Sequence, residues 1–309
     1  MYKQVEDPGF GEKYFNRTRR IINKDGSFNV RRSDAGFNVS DIYHQLITMN
    51  WPAFLAVLSS FFIFVNIVFA FLYTLIGVHS LENPSGSVNF LLKFLNAFFF
   101  SVQTFTTVGY GGILPDNILS NLVASFEAMT GLMGFALATG LLYGRFSKPS
   151  AKIVFSDNAI IAPFKGGRSL QFRIANKRSN VLMNLEARVI LMLVEKKDEQ
   201  FNHKYYNLKL DLPFVSFFPL SWTIVHPIDD DSPFKDFTKE KLEKTDAEIL
   251  ILIKGFDESF NQDVHIRYSY RFDEIIWNAR YKRAFTTNME GETILQLNQI
   301  HDYELIEET

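Results

Sequence analysis

The sequence predicts a two-part protein: a membrane domain with two spanning helices, a short helix and a loop between them, and then an all-β domain. Three observations predict this. Only six of the 99 residues from Trp51 to Pro149 are charged, although the chain contains 32 Lys and Arg and 34 Asp and Glu. Two long apolar runs lie within that region. After it, short β-rich stretches alternate with turn sequences.

The bulk composition hides this division. The 309 residues have a net charge of −2 and are 47% hydrophobic, values that are ordinary for a soluble protein. The near-zero charge argues against a nucleic-acid-binding protein. The absence of cysteine excludes disulfides, thiolate metal sites and cysteine nucleophiles. The 32 Phe are the one unusual number, and 15 of them lie between Trp51 and Pro149.

Both apolar runs are long enough to cross a membrane. Trp51 to Gly77 contains no charged residue, and Asn117 to Gly144 contains one, Glu127. A helix needs ~20 apolar residues to cross the ~30 Å hydrocarbon layer, and buried helices of soluble proteins seldom extend this far without a polar face. We therefore predict two transmembrane helices.

The distribution of Lys and Arg predicts the orientation. Basic residues cluster before the first run and after the second, whereas Lys93 is the only one between the runs. Under the positive-inside rule both termini are cytoplasmic. We expect a cytoplasmic segment over residues 1–50, a membrane domain over 51–149 and a cytoplasmic domain over 150–309. A helix over 41–50 with one apolar face would lie in the membrane interface, unless it is an ordinary linker.

The segment between the two spans predicts a re-entrant pore loop. Asn89 to Phe105 is apolar and helix-compatible but too short to span, and the sequence TTVGYGG follows from Thr106 to Gly112. Irregular backbone at membrane depth is tolerated only where it is buried in protein or lines a water-filled path. The four aromatic residues Phe98, Phe99, Phe100 and Phe105 are candidates to pack behind such a loop.

The loop contains Thr-Val-Gly-Tyr-Gly, the sequence of potassium-selective filters. Backbone carbonyls in such a loop replace the hydration shell of the ion, and glycine enters the backbone conformations that this requires at little cost. One loop per chain cannot close a ring, so we predict a homotetramer. The predicted K⁺ ligands are the carbonyls of Thr107, Val108, Gly109, Tyr110 and Gly111, with the Thr107 hydroxyl at the inner end.

The second span contains candidates for gating and for support of the filter. Gly131 and Gly134 allow close helix packing or act as a hinge. Tyr143 and Phe146, near the cytoplasmic end, would form a hydrophobic constriction in a tetramer. Glu127 is the only acid inside the membrane, and either a functional role or a structural hydrogen bond behind the filter explains it.

The remaining 160 residues predict an antiparallel β-sandwich. No G-x-G-x-x-G follows a predicted strand, which argues against a dinucleotide sensor. His226 lies near Asp229, Asp230 and Asp231, but this spacing matches no metal-ligand pattern, and we interpret the acidic run as a solvated loop. We find no arrangement of residues that indicates an enzyme.

Four segments carry a resemblance to a known family: SVQTFTTVGYG (101–111), GLLYGRFSKP (140–149), AKIVFS (151–156) and WTIVHPIDDDSP (222–233). By these segments the chain resembles the inward-rectifier potassium channel family, and most of all its prokaryotic (KirBac-type) members. The resemblance extends over nearly the whole chain and implies an immunoglobulin-like cytoplasmic sandwich, a tetramer and an interfacial "slide" helix at 41–50. It also places Tyr143 where bulky side chains narrow the pore.

Three departures from the family pattern have consequences. Gln103 replaces the usual Glu, so neutral hydrogen bonds would replace the charged support behind the filter. The candidates for filter support are Gln103, Thr106 and Glu127. Phe135 stands where strong rectifiers carry an acid in the cavity, which argues against strong block by polyamines or Mg²⁺. The animal members have cysteines beside the pore loop, and their absence here favours a prokaryotic origin.

The resemblance also implies regulation by phosphoinositides, and electrostatics alone favours contact between basic residues and anionic lipid. Plain positive-inside topology explains the same residues. They are Arg17, Arg19, Arg20, Arg145, Lys148 and Lys152. We predict a K⁺-selective channel of the cell membrane, gated from its cytoplasmic domain, with no cofactor besides the permeant K⁺. The alternative is a membrane-tethered sensor or binding protein that does not conduct.

Overall fold

The chain folds into two compact units. The computed structural model describes residues 4–14, 20–31, 33, 39–76, 89–147, 152–197 and 200–306. One unit consists of residues 34–148, and the other joins residues 1–33 to residues 149–309.

The first unit is helical and contains both predicted spans. The second and fourth of its helices are long and apolar enough to cross a membrane, with mean hydropathies of 2.5 and 1.4 over their most apolar stretches. At 1.5 Å per residue, the 26 residues of the first span extend about 39 Å. The four helices are α1 (Val39–Thr48), α2 (Trp51–Ile76), α3 (Phe90–Phe105) and α4 (Ile118–Phe146).

Helix boundaries in this unit are set by asparagine side chains. Asn50 Oδ1 accepts a hydrogen bond from the Ala53 amide 3.0 Å away, which separates α1 from α2. For this reason α1 ends at Thr48 rather than at the expected residue 50. Asn89 caps α3 in the same way, and Asn117 forms a reciprocal capping box with Ser120 at the start of α4.

Aromatic rings join α3 to α2. The rings of Phe100 and Tyr73 lie 4.9 Å apart, and those of Phe105 and Phe62 lie 5.6 Å apart, both edge to face. Two of the four Phe residues that we expected behind the filter therefore pack against the first span. The excess of phenylalanine is partly the contact surface between these helices.

The second unit contains a β-sandwich. The strands of its larger sheet are β1 (Gln4–Val5), β2 (Lys13–Tyr14), β6 (Leu182–Lys197), β7 (Gln200–Asn207), β8 (Phe214–Phe217), β10 (Glu248–Asp257) and β11 (Gln262–Arg271); those of its smaller sheet are β3 (Ile153–Phe155), β4 (Ala159–Phe164), β5 (Gly167–Asn176), β9 (Ser221–Ile228) and β12 (Ile275–Trp277). The larger sheet has the order β1-β7-β6-β10-β11, with β2 also on β7 and β8 also on β6. The smaller sheet has the order β12-β4-β5-β3, with β9 also on β5. Among the described strands of these sheets, only β12 and β4 pair in parallel.

One apolar core lies between the two sheets. The ring of Phe155 on β3 stacks on that of Tyr268 on β11 at 4.3 Å, and Phe172 on β5 lies 5.7 Å from Tyr270 on β11. The remaining elements are α5 (Lys239–Lys244), capped by Thr238, and two short antiparallel pairs, β13 (Ala279–Tyr281) with β16 (Tyr303–Leu305) and β14 (Phe285–Thr287) with β15 (Thr293–Leu295).

The N-terminal segment belongs to this β unit, whereas the sequence grouped residues 1–50 together. Strands β1 and β2 pair with the exposed edge of β7. Farther along, the buried carboxylate of Glu248 accepts hydrogen bonds from the amides of Ile21 (3.0 Å) and Ile22 (3.3 Å). Edge pairing and a distant carboxylate hold this segment, and neither leaves a periodic pattern in the sequence.

Candidate functional site

The loop after α3 is bonded to the end of that helix. The Thr107 amide donates to the Thr104 carbonyl at 3.0 Å, and the Gln103 carbonyl accepts from the amides of Val108 at 2.9 Å and Gly109 at 3.3 Å. These bonds use carbonyls that a helix end otherwise leaves without partners. The position of the loop is therefore fixed by the position of α3.

The backbone of the loop alternates between left-handed and other conformations. The φ angles of Thr107, Gly109 and Gly111 are +57°, +52° and +81°, whereas Val108 and Tyr110 have no positive φ. Glycine enters this region readily, but a β-branched residue such as Thr107 is an outlier there. Such an alternation is what a row of carbonyls facing one side requires, and strained residues of this kind concentrate at functional sites.

Several side chains of the site are uncovered in a single chain. Tyr110 is 82% exposed and Phe135 is 73% exposed. Phe135 lines a cavity of about 530 Å³ below the loop, together with Thr106, Thr107 and Leu132. The Thr106 amide and hydroxyl both donate to the Val102 carbonyl, which ends α3 at the rim of this cavity.

A buried polar cluster lies between the three long helices of the membrane unit. Glu127 on α4 is fully buried, and its carboxyl contacts the hydroxyls of Tyr73 on α2 and Ser101 on α3. Ser101 also contacts Asn66 on α2. Of these four residues, the sequence pattern indicates only Glu127 as a functional candidate. Asn66 is the only amide residue in α2, and Tyr73 is its only tyrosine. Because polar residues inside a membrane usually have partners, these two residues indicate a polar contact between helices.

The two glycines in the middle of α4 differ in their surroundings. A Cβ added at Gly131 would overlap the Phe105 carbonyl, whereas one at Gly134 would lie 3.4 Å from the Phe105 ring. At Gly131 the structure therefore favours close packing over a hinge, the two interpretations that the sequence left open. This contact holds α4 against the end of α3, where the loop begins.

At the cytoplasmic end of α4, Arg145 joins three helices. Its guanidinium donates to the carbonyls of Leu46 at 2.6 Å and Met49 at 2.8 Å, at the end of α1. It also lies over the rings of Trp51 and Phe54 on α2, 4.6 and 4.4 Å from their centroids. This guanidinium is thus engaged within the protein.

The two gate candidates next to Arg145 differ. The Phe146 ring packs 5.1 Å from that of Trp51, whereas the Tyr143 side chain is 74% exposed in a single chain. Phe135 and Tyr143 are eight positions apart on α4, which places them about 80° apart around the helix. Both therefore belong to one side of α4.

The remaining lipid-contact candidates also differ from one another. Arg17, Arg19 and Lys148 lie outside the described residues. Arg20 donates to Glu274 at 2.5 Å and to the Ser269 carbonyl at 2.8 Å, so it holds the N-terminal segment on the β unit instead of projecting toward lipid.

The surroundings of Glu274 shift the pKa of its carboxyl. Burial alone raises its pKa, but hydrogen bonds from Lys24, the Arg271 amide and Arg20 outweigh this and hold the pKa below its usual value. Lys152, by contrast, is exposed and lines a surface groove with Lys24 and Lys177.

His226, which the sequence placed beside an acidic run, is a structural residue. Its Nδ1 contacts the Lys209 carbonyl at 2.7 Å and its Nε2 contacts the Ser232 hydroxyl at 2.8 Å. Burial lowers its pKa, which favours the neutral ring. In the part of the chain that the structure describes, no group of three His, Cys, Asp or Glu side chains is arranged to hold a metal ion.

Two membrane-spanning helices that flank a short helix and a strained, glycine-containing loop define an ion channel subunit, here with a β-sandwich attached. Two family models match the chain. "Ion channel" matches residues 56–148, and "Inward rectifier potassium channel C-terminal domain" matches residues 153–309. The chain therefore belongs to the inward rectifier potassium channel family.

Individual relatives agree with this result. The chain is 36% identical to "Inward rectifier potassium channel Kirbac3.1" from Paramagnetospirillum magnetotacticum, over 93% of this chain and 96% of the relative. It is 27% identical to "G protein-activated inward rectifier potassium channel 2" from Pongo abelii, over 93% of this chain and 72% of the relative. It is also 27% identical to "G protein-activated inward rectifier potassium channel 3" from Mus musculus, over 90% and 76% respectively.

These comparisons confirm the predicted resemblance, the fold class, the membrane location with a cytoplasmic C-terminal domain, and the function as a potassium channel. The protein is an ion channel and not an enzyme.

Gly131→Ala tests whether close packing at this position holds the loop. The added methyl overlaps the Phe105 carbonyl, so we expect a loss of about 1–3 kcal/mol in the free energy of unfolding and a clear loss of ion flux. Gly134→Ala, which meets only an ordinary ring contact, is the matched control. The measurements are thermal unfolding in detergent and Rb⁺ flux into liposomes. A Gly131→Ala protein with the stability of the parent would contradict the packing role.

Proposed function

We propose that four identical chains surround one K⁺ pathway, and that the carbonyls of residues 107–111 form its selective part. The observation that carries the proposal is the alternating backbone of Thr107, Gly109 and Gly111 in a loop bonded to the end of α3. Carbonyl oxygens in successive rings replace the water around a dehydrated K⁺. The channel needs no cofactor in this scheme, because K⁺ itself is the only bound species.

The uncovered side chains of the single chain support a tetramer. Val108 and Tyr110 project from the loop with 52% and 82% exposure, and Phe135 and Tyr143 share one side of α4. In a fourfold ring, adjacent chains cover Val108 and Tyr110, and the α4 sides line the central path. Phe135 then lines the cavity below the filter with an uncharged ring, which gives polyamines and Mg²⁺ no carboxylate to bind.

Gln103 and Thr106 support the filter mainly through the backbone. The Gln103 carbonyl holds two consecutive loop amides, and Thr106 ends α3 at the base of the loop. A glutamate at position 103 is therefore not needed for these bonds. The C-terminal end of α3 also directs its partial negative charge toward the ion path.

Gating at the cytoplasmic end of α4 completes the proposal. Tyr143, with Phe146 beside it, forms a constriction that closes by excluding water. Because Arg145 binds the carbonyls at the end of α1, movement of α1 along the membrane surface moves this end of α4. The groove that contains Lys152 and Lys177 attracts anionic lipid headgroups, including phosphoinositides.

Gly109→Ala tests the filter assignment with Gly112→Ala as a matched control. Neither added methyl meets an atom within 4 Å in the chain, but only Gly109 has a positive φ, +52°. An L-residue in that region costs roughly 1–2 kcal/mol per chain, and a ring of four incurs this cost four times. We expect Gly109→Ala to lower K⁺-driven Rb⁺ flux at least tenfold and Gly112→Ala to leave it nearly unchanged. Equal flux through the two variants would contradict the assignment.

The lipid assignment predicts different results for Arg145 and Lys152. One exposed Lys contributes about 1 kcal/mol of attraction to an anionic membrane, so Lys152→Gln should raise the phosphoinositide content for half-maximal effect on flux about fivefold. Lys165→Gln, which removes an exposed Lys paired with Asp211, is the control and should change nothing. Arg145→Gln should alter flux in neutral vesicles as well, because it breaks contacts inside the protein. An unchanged lipid response in Lys152→Gln would contradict the assignment.

A further inference from the structure

The cluster around Glu127 is a continuous chain of hydrogen bonds across three helices. The Tyr73 hydroxyl lies 2.6 Å from Glu127 Oε2, and Ser101 Oγ contacts Glu127 Oε1. Ser101 Oγ also lies 2.9 Å from Asn66 Oδ1, and Asn66 Nδ2 donates to the Phe62 carbonyl at 2.8 Å. All four residues of the cluster are fully buried: Asn66, Tyr73, Ser101 and Glu127.

The available hydrogens determine the direction of this chain. The amide of Asn66 is oriented by the Phe62 carbonyl, which accepts a hydrogen and so must face the NH₂ group. Asn66 Oδ1 therefore faces Ser101. The Ser101 hydroxyl carries one hydrogen but lies between two oxygens, Asn66 Oδ1 and Glu127 Oε1. Both contacts are hydrogen bonds only if Ser101 donates to Asn66 and Glu127 donates to Ser101, which requires a proton on the Glu127 carboxyl.

The charges around the cluster agree with a neutral carboxyl. The other charged side chains of α2, α3 and α4 are Lys93 and Arg145. Lys93 lies eight residues from Ser101, about 12 Å along α3, and Arg145 lies 18 residues from Glu127, about 27 Å along α4. A fully buried carboxylate with neutral neighbours and no cation is strongly disfavoured, whereas a protonated carboxyl with both oxygens hydrogen-bonded is not.

We propose that Glu127 is a protonated positioning residue that fixes the pore helix through Ser101 with neutral hydrogen bonds. Ser101 is two residues before Gln103, whose carbonyl holds the amides of Val108 and Gly109. The chain from Asn66 and Tyr73 through Glu127 to Ser101 thus sets the height and rotation of α3, and α3 sets the loop. The inference rests on the proposed filter, since its effect on conduction passes through residues 107–111.

The test compares a variant that keeps the hydrogen bonds with variants that remove them. In Glu127→Gln the amide NH₂ donates to Ser101 and the amide oxygen accepts from Tyr73, so no hydrogen bond is lost. Glu127→Ala leaves Tyr73 and Ser101 without this partner, and Ser101→Ala removes the link to α3. Each full-length protein is reconstituted in liposomes, and K⁺-driven Rb⁺ flux and the K⁺ preference over Na⁺ are measured.

We expect Glu127→Gln to retain the flux and the selectivity of the parent within about twofold. We expect Glu127→Ala and Ser101→Ala to lose at least about tenfold in flux or in selectivity, and a tenfold loss corresponds to roughly 1.4 kcal/mol. If Glu127→Gln loses flux as Glu127→Ala does while its oligomer remains intact, the carboxyl acts through its charge and the inference is wrong. If Glu127→Ala does not fold, the comparison of the parent with Glu127→Gln and Ser101→Ala still decides whether Glu127 acts through hydrogen bonds or through its charge.

Infrared spectroscopy gives a readout that loss of packing alone does not change. The difference spectrum of the parent minus Glu127→Gln, recorded at about pH 6 where an ordinary Glu carboxyl is ionised, should show the carbonyl stretch of a protonated carboxyl. Carboxylate bands in that spectrum would overturn the inference. Because this measurement needs no conduction, it separates the two proposals: a parent protein that passes no ions refutes the proposed function, and the spectrum still decides the state of Glu127.

Discussion

The structure depends on one constraint: the loop after α3 keeps a backbone that L-residues resist, and the proposed carbonyl ligands of K⁺ require that backbone. Thr107 adopts a left-handed φ of +57° although it is β-branched, and Gly109 and Gly111 follow in the same region. A residue held in this way costs of order 1–3 kcal/mol and persists only where the surroundings fix it. The rest of the membrane unit can be understood as the means of fixing it.

The groups that hold the loop in this conformation are neutral and lie behind it. The last carbonyls of α3 hold the loop amides, and the glycine at position 131 allows α4 to touch the Phe105 carbonyl. The buried cluster of Asn66, Tyr73, Ser101 and Glu127 connects α3 to both spans. Inside a membrane such hydrogen bonds have no competing water, so a complete set is compatible with burial whereas an unpaired charge is not.

The sequence predicted what depends on local pattern and composition. Apolar length predicted both spans, and the glycine-containing motif predicted the loop. The contacts that tie these parts together were not predictable, because their partners are far apart in the chain. Arg145 binds carbonyls 96 and 99 residues away, and Glu248 binds amides 226 and 227 residues away. Backbone partners of this kind leave no mark on side-chain periodicity.

The most direct test of the account is ion selectivity in purified, reconstituted protein. Liposomes loaded with K⁺ and diluted into Na⁺ or impermeant buffer should take up tracer Rb⁺, Ba²⁺ should block the uptake, and liposomes loaded with Na⁺ should take up none. That result is expected if carbonyl rings of residues 107–111 select the ion. Uptake no greater than in protein-free liposomes, or equal uptake with Na⁺ and K⁺ inside, would contradict a K⁺-selective filter in this loop.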